Sequence, residues 1–216
     1  MTLLIIWLFI LLIVFAFFCV NLYNLIFRGY APFIATKPDV VEKIITELKL
    51  DKNYKGNIYE LGCGKATFLH AIEKICPQAQ LVGVEYSLPL YLMAGIQCAL
   101  RHSRIKIIKK NLFHANIGEA DVLYCYLNQP MMDELENKLK FECKPLSHVV
   151  SYVYRLPKTT PVKEIDMDAA QKEVERLKKI EERKKEEEMK KRGKKYVPKK
   201  EKRRKGPENK LYFYEF

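Results

Sequence analysis

Residues 3–27 read LLIIWLFILLIVFAFFCVNLYNLIF, an uncharged and mostly apolar run of 25 residues. At 1.5 Å per residue such a run covers the roughly 30 Å of a bilayer's hydrocarbon core, so it predicts one N-terminal transmembrane helix. The rival is a cleaved signal peptide. Against it, no basic segment precedes the run, the run outlasts a signal peptide's apolar core, and no small-residue cleavage site follows. Cys19 follows Phe17 and Phe18 and so lacks the small neighbour of a lipidated cysteine. Arg28, Lys37 and Lys43 lie just beyond the run, while Met1 and Thr2 offer only the α-amine before it. That asymmetry predicts a single-pass protein with its N-terminus outside and its bulk on the cytoplasmic, or equivalent, side. Trp7, Tyr23 and Tyr30 are compatible with an interfacial aromatic belt.

From 29 to 162, short apolar runs alternate with stretches of helical spacing. Asp39 to Leu50 sets Val40, Val41, Ile44, Ile45 and Leu48 on one helical face, and Pro32 and Pro38 end any helix continuing from the membrane. Ile58–Leu61 predicts a strand, Ala66–Cys76 a helix, Leu81–Glu85 a strand, Leu88–Arg101 a helix and Ile105–Ile108 a strand. Asp121–Leu127 reads as a further strand, Met131–Phe141 as a helix and His148–Val153 as another strand. Such alternation predicts an α/β domain, a parallel sheet with helices on both faces.

The pattern changes again over 163–209, a charge run with almost no core-forming residue. Asp168 and Gln171 have the spacing of a capping box, and Gly193 is placed for a C-terminal stop. Between them, acid-first i,i+4 pairs from Glu175 with Lys179 to Glu188 with Arg192 predict a solvated helix. Lys194–Lys205 carries Glu201 as its one acid and reads as a flexible basic segment. LYFYEF, residues 211–216, then alternates like a strand. A strand beyond the charge run predicts an insertion, with Pro161–Ile165 and Leu211–Phe216 as the arms of an antiparallel hairpin. The insertion itself has three readings: a solvated spacer, a contact with anionic lipid, or an RNA contact.

Composition narrows the class. The 216 residues, 49% hydrophobic, exclude a disordered chain and suit one ordinary domain with appendages better than a two-domain enzyme. Lys and Arg outnumber Asp and Glu by 38 to 26, a formal charge of +12 that draws the chain to anions. The six cysteines show no C-x-x-C pairing and read as reduced thiols, and the four histidines have no metal-ligand spacing, so no metal is expected. The tyrosines at 152–154 and 212–214 read as sheet surface.

The candidate chemistry begins at Ile58-Tyr59-Glu60-Leu61-Gly62-Cys63-Gly64-Lys65-Ala66, an acid near a strand end and then G-x-G-x-A opening a helix. Residues without a side chain let backbone N–H groups approach a nucleotide-like ligand. The next strand ends at Glu85, where a carboxylate can accept hydrogen bonds from two ribose hydroxyls. The bland readings are a helix-terminus carboxylate for Glu60 and a solvated strand end for Glu85. Neither the full G-x-G-x-x-G fingerprint nor a P-loop is present, so ATP hydrolysis is unsupported.

E-L-G-C-G-K-A, V-G-V-E-Y-S and A-D-V-L-Y-C-Y-L resemble the motifs of class I methyltransferases that use S-adenosylmethionine. A narrower likeness rests on A-P-F-I-A-T-K-P-D-V-V-E-K-I, Y-L-N-Q-P-M-M-D-E-L-E-N-K-L and V-V-S-Y-V-Y-R-L-P. These are similar to the membrane-anchored protein-lysine methyltransferases of the ATP synthase c subunit and the adenine nucleotide translocator. The resemblance implies a Rossmann-like seven-stranded sheet over 29–216, with 163–209 inserted before its last strand, preceded by the transmembrane helix at 3–27. It implies Glu60, Gly62 and Gly64 around the methionine part of the cofactor, Glu85 on the ribose, Tyr86 beside the adenine, and Asn111 with Leu112 near the adenine amine. Thr36 and Pro38 would border the active site. Asn111 stands where the family usually has an acid, and Ala66 where it has a third glycine, a place where a methyl group is tolerated if helix packing sets the space. A lysine must lose its proton before it attacks a sulfonium methyl, and the exit of the fourth strand offers Tyr126, Asn128, Gln129 and Pro130 as candidates. The bland reading has Tyr126 packing and Asn128 capping the next helix. The expected activity is lysine methylation of a membrane protein; a small-molecule or lipid methyltransferase and a non-catalytic membrane adaptor with a basic arm are the alternatives.

Overall fold

The structure, a computed structural model, describes residues 2–27, 35–169 and 209–216. Arg28, Tyr30, Pro32 and the stretch 170–208, with Gln171, the acid–base pairs, Gly193 and the basic segment, lie outside the described residues. The chain forms two units, Met1–Ala35 and Thr36–Phe216. The first holds α1, a helix over Thr2–Phe27 with no acidic residue in its first turn and no basic residue in its last. Its 26 residues make about 39 Å of helix, and Thr2–Val20 is long and apolar enough to cross a membrane.

The second unit runs α2 (Pro38–Glu47), β1 (Asn57–Leu61), α3 (Thr67–Ile75), β2 (Gln80–Glu85), α4 (Leu88–Leu100) and β3 (Lys106–Lys109). A 3-10 turn at Leu112–His114 precedes β4 (Val122–Cys125), α5 (Gln129–Glu142), β5 (His148–Tyr152), β6 (Lys163–Asp166) and β7 (Lys210–Glu215). These bounds follow the sequence pattern to within a few residues. α2 starts one residue earlier than the pattern predicts because Pro38 supplies the fixed φ of a first helical position. α5 starts at Gln129 because the Asn128 side chain accepts the Met131 N–H and caps it.

The strands form one sheet in the order β3-β2-β1-β4-β5-β7-β6. β1 to β5 are parallel, as alternation with helices requires, but β7 is antiparallel to both β5 and β6, so the sheet is mixed. Alternation with period 2 sends successive side chains to two cores. On one side Ile58, Tyr124, Val150 and Phe213 pack with Val40 and Ile44 of α2, Phe68 and Ile72 of α3, and Ala94 of α4. On the other, Tyr59, Leu61, Leu123 and Tyr214 pack with Met132, Leu135 and Leu139 of α5. The tyrosines read as sheet surface are therefore core: Tyr152, Tyr212 and Tyr214 are all buried. β7 lies between two strands, and its two faces contribute one to each core, so neither meets solvent. The Tyr214 hydroxyl accepts the Leu156 N–H at 2.8 Å, meeting the polar demand that burial imposes on the phenol.

β6 and β7 pair from Lys163 opposite Phe213 to Asp166 opposite Lys210. Beyond that ladder the Met167 N–H donates to the Asn209 carbonyl at 2.9 Å, and the Asn209 amide donates to Asp168 at 2.6 Å. The chain thus leaves the sheet at Met167 and returns to it at the same point.

Candidate active site

The ends of β1 and β2 meet a turn that only unusual backbone angles allow. Gly62 and Gly64 have φ of 74° and 54°, a region that favours glycine. The N–H groups of Gly62 and Cys63 both donate to the Val84 carbonyl, at 2.9 and 3.0 Å, folding the turn over the end of β2. A Cβ at Gly62 would stand 3.0 Å from Leu127, and one at Gly83 would stand 2.7 Å from the Cys63 sulfur. Gly83, which the sequence reading passed over, therefore lets the turn lie against β2.

Ala66 caps α3 in the left-handed conformation, φ 57° and ψ 34°, and is fully buried. The place of a third glycine thus has a glycine-like backbone, not only helix packing to satisfy. Left-handed alanine costs about 1–2 kcal/mol. Burial of its methyl returns about 0.8 kcal/mol, and restriction of the unfolded chain relative to glycine about 0.4–1. The terms nearly cancel, which accounts for alanine here.

Two carboxyl groups stand at the turn, and one of them holds it. Glu85 accepts the Gly64 N–H at 2.8 Å through one oxygen and the Ser87 N–H at 2.7 Å through the other. Burial raises its pKa, and the Ser87 and Gly64 amides oppose that rise. Glu60 shares the α3 side of β1 with Ile58 and is 6% exposed. Burial raises its pKa well above the ordinary 4.5; the Leu69 N–H, in the first turn of α3, favours its charge, and Glu85 disfavours it. Its Oε2 is buried with no hydrogen-bond partner among the described residues. Buried acceptors are nearly always partnered, so this oxygen calls for a donor that the described residues do not supply.

Aromatic side chains line the neighbouring strand ends. Thr36 Oγ1 and the Tyr124 hydroxyl share a buried hydrogen bond at 2.8 Å, and Tyr124 stacks on Phe68 with centroids 4.1 Å apart. Tyr126 packs against Tyr152 at 4.7 Å, tilted by 60°. The Tyr152 hydroxyl donates to Asn209, which the Asp168 carboxylate holds in turn. Burial raises the pKa of Tyr124 and Tyr126 and pushes that of Tyr152 up to about 12. These phenols stay neutral, able to donate hydrogen bonds but unsuited to act as bases.

The other residues singled out by sequence fall around this centre. Pro38 begins α2, and Pro130 lies in the first turn of α5, behind the Asn128 cap. Tyr86 follows Glu85 and is 44% exposed. Asn111 Oδ1 accepts the Phe113 N–H at 3.0 Å, a cap that leaves the amide oxygen one lone pair. Leu112 is buried in the core on the α5 side, so its side chain supports the turn from behind. Tyr124 and Asn209 carry no signal in the sequence, since the Thr36–Tyr124 bond spans 88 positions, while Tyr152 and Asp168, which read as sheet surface and a helix cap, meet instead through Asn209. Among the described residues no group of His, Cys, Asp and Glu could hold a metal ion.

The arrangement suits an organic cation: a buried carboxylate oxygen wanting a donor, a second acid at the adjacent strand end, and neutral aromatic walls. Residues 60–163 match the family model of the ANTKMT methyltransferase domain. A curated protein-lysine N-methyltransferase of Saccharolobus islandicus (strain REY15A) is 27% identical over 141 residues, covering 64% of this chain and 86% of that protein. Among solved structures, an RNA methyltransferase from Salinibacter ruber in complex with S-adenosyl-L-homocysteine is similar in fold, with a TM-score of 0.58 at 22% identity over 63% of this chain and 88% of that one.

Proposed function

We propose that this chain, a class I S-adenosylmethionine-dependent methyltransferase, methylates the ε-amine of a lysine in a membrane protein and is anchored in the same membrane by α1. The observation that carries the reading is the unpartnered Glu60 Oε2 beside the glycine turn. A cofactor that brings an ammonium group meets its need for a donor. The Glu85 carboxylate takes the Ser87, Gly64 and Tyr86 amides and, with about four lone-pair sites, keeps acceptor capacity for a ribose hydroxyl. When bound, S-adenosylmethionine supplies an electrophilic methyl group on a positively charged sulfonium. The protein's own part is to position and to exclude water. Tyr126 and Tyr152 stand at adjoining strand ends as neutral walls. Desolvation between such walls favours the neutral, nucleophilic form of a lysine amine. With the phenols protonated, the lysine proton leaves to solvent, not to a tyrosinate.

The lysine acceptor is supported by the likeness to the Saccharolobus islandicus protein-lysine N-methyltransferase. A membrane-protein substrate is supported by the length and composition of α1. Lys37 and Lys43, on the domain side of α1, favour the cytoplasmic or equivalent side for the catalytic domain.

The test is incubation of the purified chain with methyl-labelled S-adenosylmethionine and membranes from cells lacking the gene, followed by separation of protein, lipid and nucleic acid. Label in one protein band, on lysine, supports the reading. Label in lipid assigns a lipid methyltransferase instead, and absence of label from every fraction, with no cofactor binding, assigns an adaptor. Glu85→Gln is the control because its one remaining oxygen can still accept from these backbone amides. Loss of its charge-assisted bonds should weaken cofactor binding by about 10- to 100-fold.

A further inference from the structure

α4 presents a face that a solvated helix does not have. Leu88, Leu92, Met93, Ile96 and Leu100 are between 37% and 77% exposed, with Gly95 and Ala99 exposed among them. The helix carries no charged residue, and its buried side amounts to Ala94 and Cys98. A helix apolar on its outward arc is one that another apolar phase covers. Between this arc and β3 runs a shallow groove of about 440 Å³ whose walls include Leu92, Ile96, Ile105 and Ile107, and a side chain at Gly95 would meet nothing there.

The charge beside this face is one-sided. Residues 86–118 contain no Asp or Glu, while Arg101, Arg104, Lys106, Lys109 and Lys110 follow α4 and run along β3, the outer strand of the sheet. All five are exposed, and among the described residues none enters a salt bridge. The adjoining carboxylate, Glu73 of α3, is engaged by the Ser103 hydroxyl and the Arg104 N–H, both at 2.7 Å. Lysines on an outer strand also discourage edge-to-edge pairing. That role explains neither the arginines at the end of α4 nor the bare apolar arc. A second copy of the same face would bring like charges together, whereas an anionic surface complements them.

We propose that α4 and the basic margin of β3 form a second membrane contact, which lies on an anionic lipid surface with the apolar arc among the upper acyl chains and the cations on the α4 side of that margin, Arg101 and Lys109 among them, over the headgroups. Interfacial helices bind by this combination of apolar burial and cationic attraction. α4 begins three residues after Glu85, so the contact would hold the cofactor turn at the level of the membrane surface. It differs from a spanning α1 and from the charged insertion, and it stands whether or not the acceptor is a lysine.

The full chain contains one tryptophan, Trp7, so Trp7→Phe allows a single probe to be placed by Ile96→Trp on the arc or by Phe141→Trp on α5, where Phe141 is 89% exposed. Each variant is reconstituted into phosphatidylcholine vesicles with or without phosphatidylglycerol, using brominated acyl chains as quencher. The expected result is blue-shifted emission and several-fold stronger quenching for the probe at position 96 in the anionic vesicles, with the probe at 141 remaining water-exposed. Adding Arg101→Glu and Lys109→Glu should remove most of that quenching while circular dichroism stays unchanged. Equal water exposure of both probes in anionic vesicles overturns the proposal. So does shielding at 96 that ignores phosphatidylglycerol and grows with protein density, which assigns the face to a second copy. The readout involves no methyl transfer, so its failure leaves the proposed activity standing.

Discussion

Glu60 shows an acid buried at a cost to the fold. A carboxyl whose folded pKa is raised stabilises the native state fully only below its unfolded value near 4.5, and that contribution is lost as pH rises through the folded value. Glu60→Gln keeps an acceptor for the Leu69 amide and removes the charge. The cofactor-free variant should gain about 1–3 kcal/mol over the parent at pH 8, and the gain should vanish near pH 4, as read by urea unfolding at the two pH values. In the parent, cofactor affinity should rise with pH as Glu60 ionises; titration calorimetry of the variant should give weaker binding with that dependence gone. The Thr36–Tyr124 bond allows a different test. Thr36→Val or Tyr124→Phe alone leaves a buried hydroxyl unpaired and should cost about 1–3 kcal/mol, whereas the double variant should cost less than the sum, in a thermal-unfolding cycle. These residues also mark how far sequence reads the site. Glu60, Gly62, Gly64 and Glu85 were legible because each sits at the end of a strand whose apolar pattern is local. Tyr124 was not, because its role depends on which strand lies beside β1.

Elements were more legible than their surroundings. Periodicity placed the helices and strands of the sheet from α2 to β5, since each buries a face whose spacing is written in consecutive residues. The antiparallel pairing of β7 with the strand before the charge run follows the hairpin that the sequence predicts, but neither the place of β7 beside β5 nor the burial of its tyrosines could be read, because LYFYEF alternates equally well at an edge or between two strands. The 3-10 turn at Leu112–His114 escaped notice because one capped turn has no period. Helix α5 separates packing from chemistry at Asn128. If the residue acts as the α5 cap, Asn128→Ala should lower stability by about 0.5–2 kcal/mol and Asn128→Asp should restore it. Methyl transfer by the stably folded Asp variant, measured beside its melting temperature, decides the rest: full activity leaves Asn128 a cap, and a large loss assigns it to the reaction.

At the scale of the molecule, the sheet depends on β7. Ending the chain before Lys210 removes Leu211, Tyr212, Phe213 and Tyr214, none more than 5% exposed. At about 1.5–3 kcal/mol for each buried side chain the loss is roughly 6–12 kcal/mol, comparable to the whole stability of a domain. The truncated chain should be insoluble or lack a cooperative urea transition, as solubility after expression and circular dichroism will show. The position of β7 also sets a timetable. β6 and β7 are separated by residues 167–209, yet β7 must enter between β5 and β6. At about 5–20 residues per second, a ribosome needs several seconds to translate that interval. During those seconds β5 keeps an open edge, and β6, which joins the sheet through β7, has no strand to pair with. Synthesis speed through the charged interval, and whatever shields nascent strand edges, therefore govern how much of the newly made protein reaches its native sheet.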